Sequence, residues 1–170
     1  MSFQFQIDTQ DLEKLLRQFP KFETIIFEEM EAAMHGSLAI FQEQIQGRTP
    51  VGVSGNLRNS IAPIIRGRPP NFEGELVTSL IYGEPVERGR PPGKWPPIDA
   101  IELWVRRKFG IGPDESRQVA FLVARKIGTT GTQGAFMFEK GFEAGKGPAE
   151  KVWGRAPERA AVRIEAEIKR

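Results

Sequence analysis

Cysteine is absent from the 170 residues, and the one histidine is His35. The lack of cysteine excludes disulfides, thiolate metal sites and a cysteine nucleophile. His35 falls on the polar side of a predicted helix, where a surface or interface role is favoured over a catalytic one. No run of about 18 apolar residues is present, and the start lacks the basic and apolar layout of a signal peptide. We therefore expect a soluble chain without an export signal and with no membrane partner.

The charge balance is also too even to indicate a nucleic-acid-binding protein by itself. Lys and Arg number 24 against 22 Asp and Glu, which gives a net charge of +2. The basic and aromatic residues Arg88, Arg90, Lys94 and Trp95 do share one segment, a combination that suits sequence-independent contact with DNA. Nearby glutamates cancel part of that charge. DNA binding through this segment and the basic C-terminal helix therefore stays open as an alternative function.

The hydropathy pattern predicts a single α+β domain over 1-170, with a small antiparallel β-sheet packed with one long N-terminal helix and a helical C-terminal half. Phe3, Phe5 and Ile7 alternate with polar residues, which is typical of a half-buried strand. The predicted parts are a strand over 3-7, a long helical region over 9-46 interrupted at Pro20, an ordered loop over 48-60, a β-hairpin over 61-82, an extended proline-rich loop over 83-97, two helices over 98-128 that pack on the sheet, and a helical segment over 135-170 whose final helix begins near Pro148.

No arrangement of residues predicts catalysis, a metal site or a cofactor. Asp99 and Glu102 are three residues apart on a predicted helix, where they are more simply favourable charges near its positive end. The segment 89-94 has glycines and a lysine but the wrong spacing for a phosphate loop, and its prolines remove N–H donors. The glycines of 128-134 follow a helix rather than a strand, which argues against a dinucleotide fingerprint. We expect a protein that is not an enzyme.

Three pieces of the chain together resemble the tail-component or tail-completion family of tailed bacteriophages. The first comprises Arg48-Thr49-Pro50-Val51-Gly52 and Ser54-Gly55-Asn56-Leu57-Arg58-Asn59-Ser60-Ile61, and is similar to a Thr-Pro-Val, Thr-Gly, Leu-Arg-x-Ser signature that follows a long helix. The second, Ile81-Tyr82-Gly83-Glu84-Pro85-Val86-Glu87-Arg88-Gly89, is similar to a Tyr-Ala, Val-Glu-x-Gly strand end. The third resembles a subgroup with two inserted helices, and includes Pro96-Pro97-Ile98, Trp104-Val105, 120-127 and Gly131-Thr132.

The resemblance implies a virion structural protein at the head-to-tail junction, assembled in the bacterial host cytoplasm. It implies a homo-oligomeric ring, six-fold or twelve-fold, that completes the tail and joins it to the DNA-filled head. The implied partners are a connector or head-closure protein, a tail terminator or tail tube protein, and genomic DNA that passes through the lumen without sequence-specific contact. A tail terminator or a head-closure ring is the alternative within this region.

The same resemblance assigns roles to named residues. The shared loop and strand end would be shaped by Thr49, Pro50, Gly55, Leu57, Arg58, Tyr82, Val86, Glu87 and Gly89. An arm formed by Arg88, Arg90, Lys94 and Trp95 would reach a neighbouring subunit. Strand exchange through residues 3-7 is a natural way for such subunits to join.

Overall fold

The computed structural model describes residues 10-52 and 54-169, so the strand predicted over 3-7 lies outside the described residues. The protein has an α+β fold that is 69% helical, with antiparallel strands, a long N-terminal helix and a helical C-terminal half, as predicted. The strands form two small sheets rather than the one that was predicted. Its elements are α1 (Gln10–Arg48), α2 (Asn56–Ser60), β1 (Ala62–Arg68), β2 (Asn71–Val77), α3 (Gly83–Arg88), β3 (Gly89–Arg90), α4 (Ile98–Phe109), α5 (Pro113–Thr130), β4 (Thr132–Gln133) and α6 (Met137–Ile168).

The two longest helices, α1 and α6, run antiparallel and form the main packing unit of the described chain. Ile45 of α1 lies against Gly141 of α6, and Phe41 lies against Gly145. At the other end, Lys21 Nζ lies 2.9 Å from an Oε1 of Glu167. The helices can approach closely because α6 buries small residues along the contact, namely Gly141, Gly145, Ala149, Ala156 and Ala160.

Prolines do not end these helices, which corrects two of the predicted boundaries. Helix α1 is 39 residues long and contains Pro20 without a break. Helix α6 starts at Met137 and contains both Pro148 and Pro157. An internal proline removes one backbone hydrogen bond and crowds the preceding turn. The α1–α6 contact extends on both sides of Pro148, so tertiary packing outweighs that local cost.

An ion-pair cluster connects α1 to α6, and Glu29 is the buried carboxylate at its centre. Glu29 is 9% exposed, and its carboxylate accepts hydrogen bonds from Arg159 Nε at 2.6 Å and from Arg163 Nη1 at 2.9 Å. Arg163 also pairs with Glu28. The hydrogen bond from Arg159, followed by that from Arg163, holds the pKa of Glu29 below its ordinary value.

Glu29→Gln is expected to lower the free energy of unfolding by about 1–3 kcal/mol at neutral pH, because charged hydrogen bonds are lost at a buried position. Since the folded-state pKa is depressed, this contribution is full above the unfolded-state pKa and is lost as pH falls through the folded-state pKa. Urea unfolding of both proteins at pH 7 and pH 3 should show a difference that shrinks in acid. Glu31→Gln, at an exposed position of the same helix, serves as the control. A difference that is equal at both pH values would contradict the assignment.

Strands β1 and β2 form the predicted hairpin, in a register that runs from Ala62↔Val77 to Arg68↔Asn71. Its inner face rests on α1 at Gly74, where a Cβ would come within 2.6 Å of Met34 Sδ. On the outer face, Arg66 Nη1 lies 3.0 Å from a carboxylate oxygen of Glu75. The missing side chain of Gly74 therefore sets how closely the sheet approaches the helix.

The segment 83-97 is not extended throughout, contrary to the prediction from its prolines and glycines. Residues 83-88 form α3, and Gly89 and Arg90 form β3, which pairs with Gln133 and Thr132 of β4. Pro85 occupies the third position of α3, where a backbone N–H has no partner within a helix, so its missing donor costs little. Only 91-97 remains without helix or strand.

Helices α4 and α5 confirm the two predicted helices but pack mainly on each other. Val105 of α4 and Ala120 and Ala124 of α5 are fully buried. The prediction that both helices pack on the sheet is therefore wrong. Their own side chains form a second, smaller packing unit, which is linked to the rest of the protein through the β3–β4 pair.

Candidate assembly site

The loop after α1 is ordered by hydrogen bonds from its own residues. Thr49 is 4% exposed, and its Oγ1 donates to the carbonyl of Ile45 at 2.8 Å, at the end of the helix. Gly55 has φ 65°, a left-handed conformation that glycine adopts without strain, and its carbonyl accepts the N–H of Asn59 as α2 begins. Pro50 is exposed between them. These bonds close the end of α1 and begin α2.

Three segments that are far apart in the sequence meet at one buried cluster. Its buried members are Ile45, Leu57, Ile61 and Met137, and Val86 packs against them. Leu57 is 6% exposed, so one of the motif residues anchors the loop in the core. The structure therefore brings the 48-61 and 81-89 motifs together at the start of α6.

Polar contacts tie the same region to its neighbours. The carbonyl of Ile61 accepts a hydrogen bond from Gln42 Nε2 at 2.8 Å, which joins α1 to the end of the loop. Ser60 and Thr78 share a hydrogen bond of 2.6 Å between their hydroxyl groups. These links hold the first motif to α1 and to the segment after the hairpin.

Glu87 caps helix α6 from a distant part of the chain. Its Oε2 accepts the backbone N–H of Phe138 at 3.0 Å, and its Oε1 accepts that of Glu139 at 3.2 Å. Its backbone carbonyl accepts the N–H of Phe136, which precedes the helix with a positive φ of 51°. A carboxylate at this position satisfies free N–H groups and interacts favourably with the positive end of the helix dipole.

The backbone conformation at position 89 and the space around it explain why the 81-89 motif ends in glycine. Its φ is 80°, and a Cβ there would collide with the carbonyl oxygen of Thr132 and the backbone of Gly134. Only glycine lets β3 come this close to the segment that leads into α6. Val86, Glu87 and Gly89 therefore act together to position the start of α6.

Glu87→Gln is expected to reduce the free energy of unfolding by about 0.5–2 kcal/mol, because it removes the charge and one of the two acceptors at the α6 N-terminus. The matched control is Glu84→Gln, three residues earlier, where the carboxylate is exposed and pairs with Arg88 at 3.6 Å. That control should change stability by less than about 0.5 kcal/mol. Urea unfolding of the two variants compares them directly, and equal effects would contradict the capping role.

The remaining predicted site residues lie outside this cluster. Arg58 and Tyr82 are exposed, and Arg88 is paired with Glu84. Arg90 belongs to β3, and Lys94 is exposed. The predicted arm is thus not a continuous extended strip.

Trp95 lies against the protein's own α5 rather than extending freely. Its ring is 5.7 Å from the ring of Phe121, and a Cβ on Gly128 would come within 2.6 Å of the indole. Half of its surface remains exposed, at 47%. The indole therefore fixes the 91-97 segment on α5, and the contact of this segment with a neighbouring subunit stays a prediction.

One surface feature was not predicted, an apolar groove between α1, β2 and α6 with a volume of about 510 Å³. Phe41 and Phe142 stack in it with ring centroids 4.9 Å apart, and Phe142 is 53% exposed. Ser37 also lines the groove, 4% exposed, and its Oγ has no hydrogen-bond partner within the described residues. The groove depends on how α1 and α6 align, so the only signal in the sequence is the apolar cluster over 136-142.

Within residues 10-52 and 54-169, no group of three or more histidine or acidic side chains is placed to hold a metal ion. No helix in the described part of the chain is both long and apolar enough to cross a membrane. Comparisons with protein-family models, curated proteins and solved structures each gave no match.

Proposed function

We propose that the chain is a non-enzymatic structural subunit of a tailed-phage neck. It forms a ring that completes the tail and joins it to the DNA-filled head, between a connector or head-closure protein and the tail terminator or tail tube. A terminator or head-closure ring of the same region is the alternative position. The virion is then its final location, after assembly in the host cytoplasm.

The observation that carries the proposal is that the 48-61 and 81-89 segments meet in the structure and together hold the start of α6. Leu57 and Val86 enter one core cluster, and Glu87 and Gly89 position α6 beside it. Four of the residues through which the chain resembles the tail-completion family thus help to join α1, the hairpin and α6. This supports the proposal that the chain has the fold of the tail-completion family and, because of that fold, the same role.

A second support is the amount of apolar surface left open. Ile81 is 96% exposed and Leu122 is 60% exposed, and further large apolar side chains are exposed on α4, α5 and α6. Of these residues, Phe121 and Leu122 line one open pocket together with Ile98, and contiguous exposed apolar surface typically marks a site that partners cover. A ring subunit needs two different surfaces of this kind, because contacts in a rotational ring are heterologous.

The alternative of DNA binding through the basic segment gains little from these contacts. Arg88 is paired with Glu84, and Trp95, which would have to stack on bases, packs on α5. DNA in the proposed ring passes through the lumen without sequence-specific contact.

Native mass measured by light scattering over a concentration series tests the proposal, first for the protein alone and then with purified tail tubes. A closed oligomer, or a monomer that tail tubes capture, is expected. A monomer that is indifferent to tail tubes at every concentration would contradict the ring. Binding to duplex DNA over a salt series is measured in parallel, since tight, steeply salt-dependent binding by such a monomer would favour the DNA-binding alternative.

A further inference from the structure

The groove between α1, β2 and α6 lies beside a strand that has an open edge. Strand β2 pairs with β1 on one side, and no other strand of the described chain pairs with it on the opposite side. Gly74 and Leu76 of β2 line the groove together with residues of both helices. An extended peptide added to this edge would bond to the β2 backbone and direct every second side chain into the groove.

We infer that this groove binds residues 3-7 of a second copy of the chain, as a strand added to the free edge of β2. This inference rests on the self-assembly that the proposed function requires, and it names the contact between subunits. Phe3, Phe5 and Ile7 would enter the groove, and Gln4 and Gln6 would face away from it.

The groove and the segment match in length and in chemistry. The α1 side of the groove extends from Met34 to Ile45, about 16 Å along a helix. Three alternate side chains of a five-residue strand span about 13 Å. The lining is mostly apolar, and its two charged residues are Glu139 and Glu143. Residues 2-7 carry no charged side chain, so the segment would bring no charge of its own into the groove.

The groove also has the signs of a surface that a partner covers. Phe142 is 53% exposed although it is stacked on Phe41. An aromatic face left open in an apolar groove is the kind of surface that a partner covers.

The long helix α1 prevents a chain from filling its own groove. Gln10 precedes Met34 by 24 residues of continuous helix, which is about 36 Å. Residue 7 can lie at most about 11 Å from residue 10, even when the chain is fully extended. The strand must therefore enter the groove of another copy, and such donation from one subunit to the next is heterologous, as a ring requires.

The other edge of the hairpin is less suited to accept a strand. Strand β1 contains Pro63, which lacks an N–H donor, whereas β2 contains no proline. Each strand carries two charged residues, so charge does not distinguish the two edges. Proline is a feature by which edge strands avoid pairing, and it assigns the added strand to β2.

Because the chain has no cysteine, single-cysteine variants of the full-length protein test this contact by disulfide formation between copies. Gln4→Cys is mixed with Glu73→Cys or with Glu75→Cys, whose side chains lie on the outer face of β2. The controls are Arg66→Cys on β1 and Glu158→Cys at an exposed position of α6. Mild oxidation is expected to give a mixed dimer with at least one β2 variant and with neither control. No dimer with either β2 variant, or equal yields with the controls, would overturn the inference.

A second comparison does not depend on cross-linking. Phe5→Asp should lower the native mass of the assembled protein, whereas Gln4→Asp, one residue away on the opposite face of the strand, should leave it unchanged. Both variants are checked for an unchanged helical circular dichroism spectrum. Equal native masses for the two variants would also overturn the inference.

The outcomes separate this contact from the proposed function. If the protein forms a ring but no disulfide with either β2 variant, the strand contact is wrong and the proposed neck ring is unaffected. Disulfide-linked pairs or open chains without a closed ring would support the contact and contradict the neck-ring proposal. The double variant Gln4→Cys with Glu75→Cys should not form a disulfide within one monomer. Such a disulfide would contradict the conclusion that residues 3-7 cannot reach the groove of their own chain.

Discussion

Gly141→Ala is expected to destabilise the protein by about 1–3 kcal/mol, although alanine favours a helix over glycine. A Cβ at Gly141 would lie 2.5 Å from Ile45 Cγ1 and 2.8 Å from Ile45 Cα. The side chain of Ile45 could move, but its backbone belongs to α1 and can give way only if the two helices separate. The close approach of α1 to α6 therefore requires glycine at this position.

Gly154→Ala, on the same helix, is the matched control and should have the opposite sign. Apart from the adjacent residues and the helix's own backbone, no atom of the described residues lies within 4 Å of the added Cβ at Gly154. The substitution is expected to stabilise the protein by about 0.5–1 kcal/mol through the entropy of the unfolded chain. Urea unfolding of the two variants gives the comparison. If both stabilise the protein, α1 and α6 are not packed as closely as described.

Leu57→Ala is expected to lower the free energy of unfolding by about 2–5 kcal/mol, because it leaves a cavity in the cluster that joins α1, the 48-61 loop and α6. Leu57 is 6% exposed and lies among Ile45, Ile61 and Met137. The adjacent Arg58→Ala serves as the control, since Arg58 is exposed and a change of less than about 0.5 kcal/mol is expected there. Thermal and urea unfolding measure both variants. A small effect at Leu57 would show that the motif does not anchor the core.

The sequence predicts the long helices, the hairpin and the two inserted helices because hydrophobic periodicity reports which faces are buried. It misplaces the start of α6 because Pro148 is a strong local signal, whereas the contacts that keep the helix continuous come from α1, about a hundred residues earlier. The helix α3 is missed for a related reason. Pro85 is tolerated only because it occupies the third position of that helix.

In the candidate site, too, the sequence indicates which residues form a motif but not which distant residues they contact. The motif singles out Val86, Glu87 and Gly89. It does not indicate that these residues position the start of α6. Glu87 hydrogen-bonds with N–H groups that are 51 and 52 residues away in the sequence. Similarly, Glu29 has the pattern of a surface glutamate, because its partners Arg159 and Arg163 are on the other long helix. Such pairings depend on the antiparallel alignment of α1 and α6, which a single sequence does not specify.

Electron microscopy of the purified protein incubated with phage tail tubes shows whether the chain forms a ring at the tube end. Closed rings are expected, free or seated on one end of the tube, with a central opening that admits duplex DNA. Protein that stays monomeric and leaves both tube ends bare, or that coats the tube along its length, would contradict a role in joining head to tail.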